Sequence, residues 1–301
     1  WGGGGTSESD WLATGVGDSF EFCGGGTIDM SDTGLQVSDH MSPRMLFGCF
    51  STPNSSIHDI TIQGGDITNL VVTRRLSTNF HVYRCRFIDT YKDNSKSSDH
   101  TAIYFGGEYS YAYNNYFFLN SVKGRINSTA IEFHQSNQKA YNNTSIGYKT
   151  FVIYAAYHDN YVFDQDIPLS ERVVTGCETY NNYFEGVFFV AYWGDGKIQF
   201  GTLKTYDNDH VGIKAVTQAE FNAAGIQSQN QVCAFSLSQT PDSPNGETPE
   251  PTNVLDGAYE YGNTYVSSFD SIYTRDHHFY TLGTLKNNWI IYDNFVRCPQ
   301  I

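Results

Sequence analysis

One short phrase returns along this chain at a nearly constant interval, and it restricts the fold more than any other feature. Tyr-Asn-Asn stands at 113–115, 141–143 and 180–182, Tyr-Asp-Asn at 206–208 and 292–294, and Tyr-Gly-Asn at 261–263. A degenerate copy, Tyr83-Arg84-Cys85, precedes them. The tyrosines at 83, 113, 141, 180, 206, 261 and 292 are separated by 30, 28, 39, 26, 55 and 31 residues. A second phrase moves in the same register: Thr101-Ala-Ile-Tyr-Phe and Thr129-Ala-Ile-Glu-Phe lie 28 residues apart. Two phrases shifting together indicate a solenoid, in which each repeat stacks on its neighbours. The interval of 39 is expected to hold an insertion. That of 55 is expected to hold two coils, the unmarked one carried by Val232-Cys-Ala-Phe-Ser-Leu.

The period of about 28 residues is filled with short alternating segments and shows no 3.6-residue pattern, so each coil is expected to contain about three strands. The fold class that follows is all-β: a right-handed, single-stranded parallel β-helix. One coil cannot bury its apolar face alone. Stacking at about 4.8 Å pairs every backbone group with the coils above and below. Composition agrees, with 22 Tyr, 21 Phe and 28 Gly but only 8 Pro and 17% charged residues. Asn suits the bend between strands, because it tolerates left-handed φ and its amide can bond the equivalent Asn of the next coil.

The chain reads as one β-helix domain over residues 1–301. Residues 1–50 are a Gly-rich lead-in reaching a first coil and cap, and coils run from about 56 to 217. The stretch 239–252 holds four of the eight prolines and is expected to be a surface loop, not a boundary, since marked coils resume after it. Residues 216–224 are the one place where a short helix fits. The start, Trp1-Gly-Gly-Gly-Gly, carries no signal peptide and reads like the interior of a longer chain.

Net charge is −14, which argues against nucleic acid as a partner and slightly against a strongly anionic polysaccharide. No apolar run is long enough to cross a bilayer. Six cysteines, at 23, 49, 85, 177, 233 and 298, show neither metal-ligand nor redox spacing and read as buried free thiols. The sequons at Asn54, Asn127, Asn142 and Asn143 are what so Asn-rich a chain yields by chance.

Gly24-Gly-Gly-Thr-Ile-Asp-Met-Ser31 resembles the first coil of pectate-lyase-like and polygalacturonase-like β-helices, as does Ser56-Ile-His-Asp-Ile-Thr-Ile-Gln-Gly-Gly65. With the Tyr-Asn-Asn coils, the resemblance spans residues 20–298. Within that superfamily the chain most resembles bacteriophage tailspike depolymerases, by its scattered cysteines, absent signal and aromatic outer strands. The resemblance implies a homotrimer on the virion tail, or at least outside the cell, with a bacterial surface polysaccharide as partner. It specifies architecture more strongly than chemistry, because this fold hosts lyases, hydrolases, epimerases and inert adhesins.

The paired strands 101–105 and 129–133 offer the first site. If Ile131 and Phe133 face inward, Glu132 and His134 face outward, about 7 Å apart along the strand, with Tyr104 level with Glu132 one coil away. Long loops at 89–100 and 120–128, and the insertion 158–172, would wall this face. Glycoside hydrolysis needs two carboxyl groups. Glu132 is the leading candidate, with Glu108, Asp159, Asp195 or Asp99 as its partner and His134 as an assisting acid or base. Asp99, just before a strand, is similar to an Asp of polygalacturonases, but that family's second acidic pair has no counterpart here.

Tyr104, Tyr154, Tyr157, Tyr192 and Trp193 are candidates for stacking on sugar rings. No metal triad is visible, and no cofactor is implied. A lyase would need a base and a cation near a uronate, and the face offers few positive groups beyond Lys123, Arg125 and Lys149. Three functional readings follow: a hydrolytic tailspike-type depolymerase in the lead, a non-catalytic glycan-binding adsorption protein, and a polysaccharide lyase or epimerase.

Overall fold

The structure, a computed structural model, describes residues 11–16, 18–31, 45–65, 67, 69–91, 100–120, 122, 124–125, 128–155, 173–194, 199–213, 219, 233–239, 254–267, 279–281, 284–285, 290–292 and 295–297. These residues form three all-parallel sheets of 9, 11 and 9 strands, between which the chain passes in turn, coil after coil. This is the right-handed parallel β-helix expected from the repeat. The first sheet begins with Trp11–Val16, Met45–Phe50, Asn69–Thr73, His100–Phe105, Ser128–Phe133 and Thr150–Ala155. Residues 1–50, read as a lead-in, therefore already hold the strands of one full coil and the first strand of the next. Ala219, the described residue within 216–224, is helical.

Strands of three residues alternate half-buried, buried, half-buried, as in Tyr111–Tyr113, Tyr116–Phe118 and Lys139–Tyr141. The buried middle residues stack up the interior: Ile57, Val82, Ala112 and Ala140 in the second sheet, and Ile62, Phe87 and Phe117 in the third. Phe87 and Phe117 lie nearly parallel with centroids 5.0 Å apart. Each fully buried Phe contributes about 1.5–3 kcal/mol by leaving water, which a single coil could not achieve.

The recurring tyrosines form one ladder. Tyr83, Tyr113, Tyr141, Tyr180, Tyr206 and Tyr261 pair in register up the second sheet, with successive rings 4.8–5.0 Å apart and nearly parallel. The two residues after each Tyr divide the tasks that the sequence had assigned to Asn in general. The first takes left-handed φ: Asn114 at 57°, Asn142 at 55°, Asn181 at 53°, Asp207 at 54° and Gly262 at 65°. The second builds a buried amide ladder. Asn115, Asn143, Asn182 and Asn208 each donate a backbone N–H and an Nδ2 hydrogen to the Oδ1 of the next, ending at Asn263. At the degenerate copy, Cys85 replaces the amide and donates its own N–H to Asn115 Oδ1 at 3.0 Å.

The pairing corrects one expectation. Tyr206 is level with Tyr261, so the interval of 55 is one coil, not two. Cys233–Gln239, read as the unmarked coil, is the first-sheet strand of that same coil. Most of the extra length lies outside the described residues, and spacing alone leaves no trace of how many coils are passed. The interval of 39 is likewise one coil, with residues 156–172 between its strands.

Among the described residues Cys49, Cys85 and Cys177 are buried free thiols, whereas Cys23, also expected inside, is exposed. The Pro-rich stretch beyond Gln239, and Cys298, lie outside the described residues. No helix among the described residues is long and apolar enough to cross a membrane.

Candidate functional site

Thr101 and Tyr104 on the strand His100–Phe105, and Glu132 on the strand Ser128–Phe133, meet on the outer side of the first sheet. Ile103, Phe105, Ile131 and Phe133 are fully buried in the core, which turns Tyr104 and Glu132 the other way. The register expected from the repeat holds: Tyr104 is level with Glu132. Thr101 Oγ1 donates to Glu132 Oε1 at 2.5 Å, and His134 Nε2 lies 3.1 Å from Glu132 Oε2. The Glu132 side chain is 16% exposed and that of His134 0%. A carboxylate held by a hydroxyl and a buried imidazole, with an edge open to solvent, has the parts to exchange a proton with a bound molecule.

Behind this carboxylate the packing is tight. The Tyr104 and His134 rings stack with centroids 3.9 Å apart, and the Arg74 guanidinium lies 5.8 Å from the Tyr104 ring centre and 5.7 Å from that of Phe50. Tyr104 packs against Met45 and Val72.

Two expectations about aromatic residues are corrected here. Tyr104 is 6% exposed with a ring face covered by His134, so it offers no open surface to a sugar. Tyr154 faces the interior, fully buried beside Phe133, with its hydroxyl 2.7 Å from Thr179 Oγ1. Its position repeats that of Phe133, which alternation was expected to turn inward. His134 is buried instead of lying on the surface.

Glu108 sits half-buried in the turn after the strand His100–Phe105. Asp99, Asp159, Asp195 and Tyr157 lie outside the described residues, as do most of the loops expected to wall the face. Tyr192 is level with Tyr154, and Trp193 with Ala155. Lys123 lies outside the described residues; Arg125 and Lys149 are half-buried. Sequence reasoning missed Thr101 and Arg74. The shared phrase placed Thr101 in register with Thr129, but a strand-end Thr carries no mark of its partner.

No protein-family model and no curated protein matches the sequence. Solved structures do match its fold. The tailspike protein of E. coli bacteriophage HK620 in complex with pentasaccharide superposes with a TM-score of 0.69 at 16% identity, covering 94% of this chain and 47% of that one. A mutant of that tailspike in complex with hexasaccharide gives 0.63 at 15% identity, over 92% and 48%. A further mutant gives 0.64 at 17%, over 84% and 39%. This chain thus spans less than half the length of the tailspike chains it matches. It has the parallel β-helix fold of these tailspike proteins.

Proposed function

We propose that the protein is a tailspike-type depolymerase that binds a bacterial surface polysaccharide, capsule or O-antigen, along the outer side of its first sheet and hydrolyses it. The observation that carries this reading is Glu132: a carboxylate with one edge exposed, fixed by Thr101 and His134 on a rigid strand. The fold match to proteins solved with bound oligosaccharides supports the class of substrate.

The second carboxyl group is Asp99 in this reading. Three matched HK620 chains are double mutants in which an aspartate and a glutamate are replaced together, separated by the same number of positions as Asp99 and Glu132. Glu132 and Asp99 then act as the acid and base of glycoside hydrolysis. The protein works as a homotrimer on a phage tail, following the same resemblance.

The reading is tested by incubating the protein with a panel of capsule and O-antigen polysaccharides while following new reducing ends and the ultraviolet absorbance of unsaturated uronates. Reducing ends without absorbance are expected. Absorbance would make the protein a lyase, and neither signal on a glycan it binds would make it an adsorption protein.

A further inference from the structure

A second cluster of reactive side chains lies away from Glu132, where the first two coils meet in the second sheet. The strand Glu21–Phe22 pairs with Ser56–His58, Phe22 being level with Ile57, so the chain just beyond Phe22 runs beside His58. That register brings Glu21, Cys23 and His58 together although 35 residues separate Cys23 from His58 in sequence. One ligand atom from each, a Glu21 carboxylate oxygen, Cys23 Sγ and a His58 ring nitrogen, lies within 4.8 Å of the others. The sequence showed no metal triad, because neither of these two coils carries the Tyr-Asn-Asn mark that would have aligned them.

The histidine is held as metal-binding histidines are. His58 is 7% exposed, and its ring stacks on Tyr83 with centroids 4.4 Å apart and an interplanar angle of 11°. Its Nδ1 lies 2.6 Å from Asp59 Oδ2. Asp59 is in turn fixed by Arg84, which donates Nε to Oδ1 at 2.7 Å and a terminal nitrogen to Oδ2 at 2.5 Å. A carboxylate on Nδ1 sets the ring orientation and leaves Nε2 as the ligating atom, the usual outer-shell arrangement of metal-bound histidine. Here Nε2 is aimed at Glu21 Oε1, 2.7 Å away. The other two ligands are exposed and free to adjust, since Glu21 is 64% exposed at its side chain and Cys23 is on the surface.

We propose that Glu21, Cys23 and His58 bind one thiophilic divalent cation, zinc by preference, which clips the first coil of the helix to the second. Ligand atoms bonded at about 2.0–2.3 Å around a tetrahedral zinc sit about 3.3–3.8 Å apart. The Nε2–Oε1 separation of 2.7 Å is shorter than that range, and Cys23 Sγ lies within 4.8 Å of the other two ligand atoms. Rotation of the two exposed side chains closes the difference while His58 stays in place. One nitrogen, one thiolate and one carboxylate suit zinc better than magnesium or calcium, which prefer all-oxygen sites. Binding displaces the thiol proton of Cys23 and any proton on Nε2, both of which pass to solvent. The fourth position remains for water. A clip here would reinforce the one side of the first coil where Glu21–Phe22, only two residues long, pairs with Ser56–His58 at two positions.

The test is a cobalt(II) titration of the reduced full chain, followed by zinc competition. Wild type is expected to take up one equivalent with the near-ultraviolet charge-transfer band of a cobalt–thiolate bond, which zinc abolishes. Cys23→Ser removes the band, and Asp59→Asn, which leaves all three ligands in place, lowers zinc affinity about 10- to 100-fold. Zinc also raises the thermal midpoint of wild type but not of Cys23→Ser. A wild-type complex without the thiolate band overturns the proposal. A band that survives in Cys23→Ser also overturns it, by placing the metal on another cysteine.

Discussion

Asn142 and Asn143 are neighbours of the same residue type, and the structure predicts very unequal responses to their replacement. Asn143 is buried, and its Oδ1 accepts from the Asn115 amide N–H at 3.0 Å and from Asn115 Nδ2 at 3.1 Å. Its Nδ2 donates to Ala112 O at 2.9 Å and Asn182 Oδ1 at 3.0 Å. Truncation to Ala removes all four bonds. Asn115 Nδ2 keeps Val82 O, and Asn182 Oδ1 keeps the backbone N–H of residue 143, but the Asn115 N–H loses its acceptor. With a net hydrogen bond at about 0.5–1.5 kcal/mol and an orphaned buried group at about 1–3 kcal/mol, Asn143→Ala should cost about 3–5 kcal/mol. Asn142, by contrast, is exposed with φ 55°, a conformation that glycine adopts without strain. Asn142→Gly should stay within about 1 kcal/mol of wild type. Urea unfolding of both variants, followed by far-ultraviolet circular dichroism, measures the contrast. Equal losses, or a loss below about 1 kcal/mol for Asn143→Ala, would refute the division of labour between the two asparagines.

Three further outcomes are expected. Tyr154→Phe removes the bond to Thr179 and should lower stability by about 1–3 kcal/mol while leaving glycan affinity unchanged; weakened binding in a stable variant would return Tyr154 to the binding face. In native protein near neutral pH, Cys23 should react with a thiol reagent while Cys49, Cys85 and Cys177 are modified only on unfolding, as peptide mass mapping would show. Burial pushes the Cys177 thiol up to about 12. The folded chain therefore holds that proton more tightly than the unfolded one, whose thiol titrates near about 8.5. This stabilisation is complete below that pH and is lost as pH rises toward 12, so the urea midpoint should fall between pH 8 and pH 10. An unchanged midpoint would contradict it.

The fold was legible because its coils write the same side chains at the same places. Tyr fills a stacked outer position, the next residue must take left-handed φ, and Asn must continue a buried ladder, so substitution is confined at all three. Counting coils was less secure. Loop length between strands is weakly constrained by energy, and the interval from Tyr206 to Tyr261 gave no sign that it was one coil. Alternation placed Glu132 outward, and register set it level with Tyr104. Alternation does not reveal what covers an outward residue, however, which is why Tyr104 and His134 were expected at the surface and are buried. Tyr154 shares the inward register of Phe133, whereas its aromatic type alone suits either the core or a sugar-binding face. The pairing of Glu21 and Cys23 with His58 depended on coils without the repeated phrase, so only the three-dimensional register brought it out.

The catalytic role proposed for Glu132 is decided by Glu132→Gln on a polysaccharide that the wild type degrades. Gln keeps the shape of the side chain and an oxygen for Thr101, but it cannot carry the charge or exchange the proton. Reducing-end release is expected to fall by at least about 100-fold, the low end of what positioned acid–base catalysis contributes, with glycan affinity retained. Cleavage at the wild-type rate by a folded Glu132→Gln protein would contradict that role.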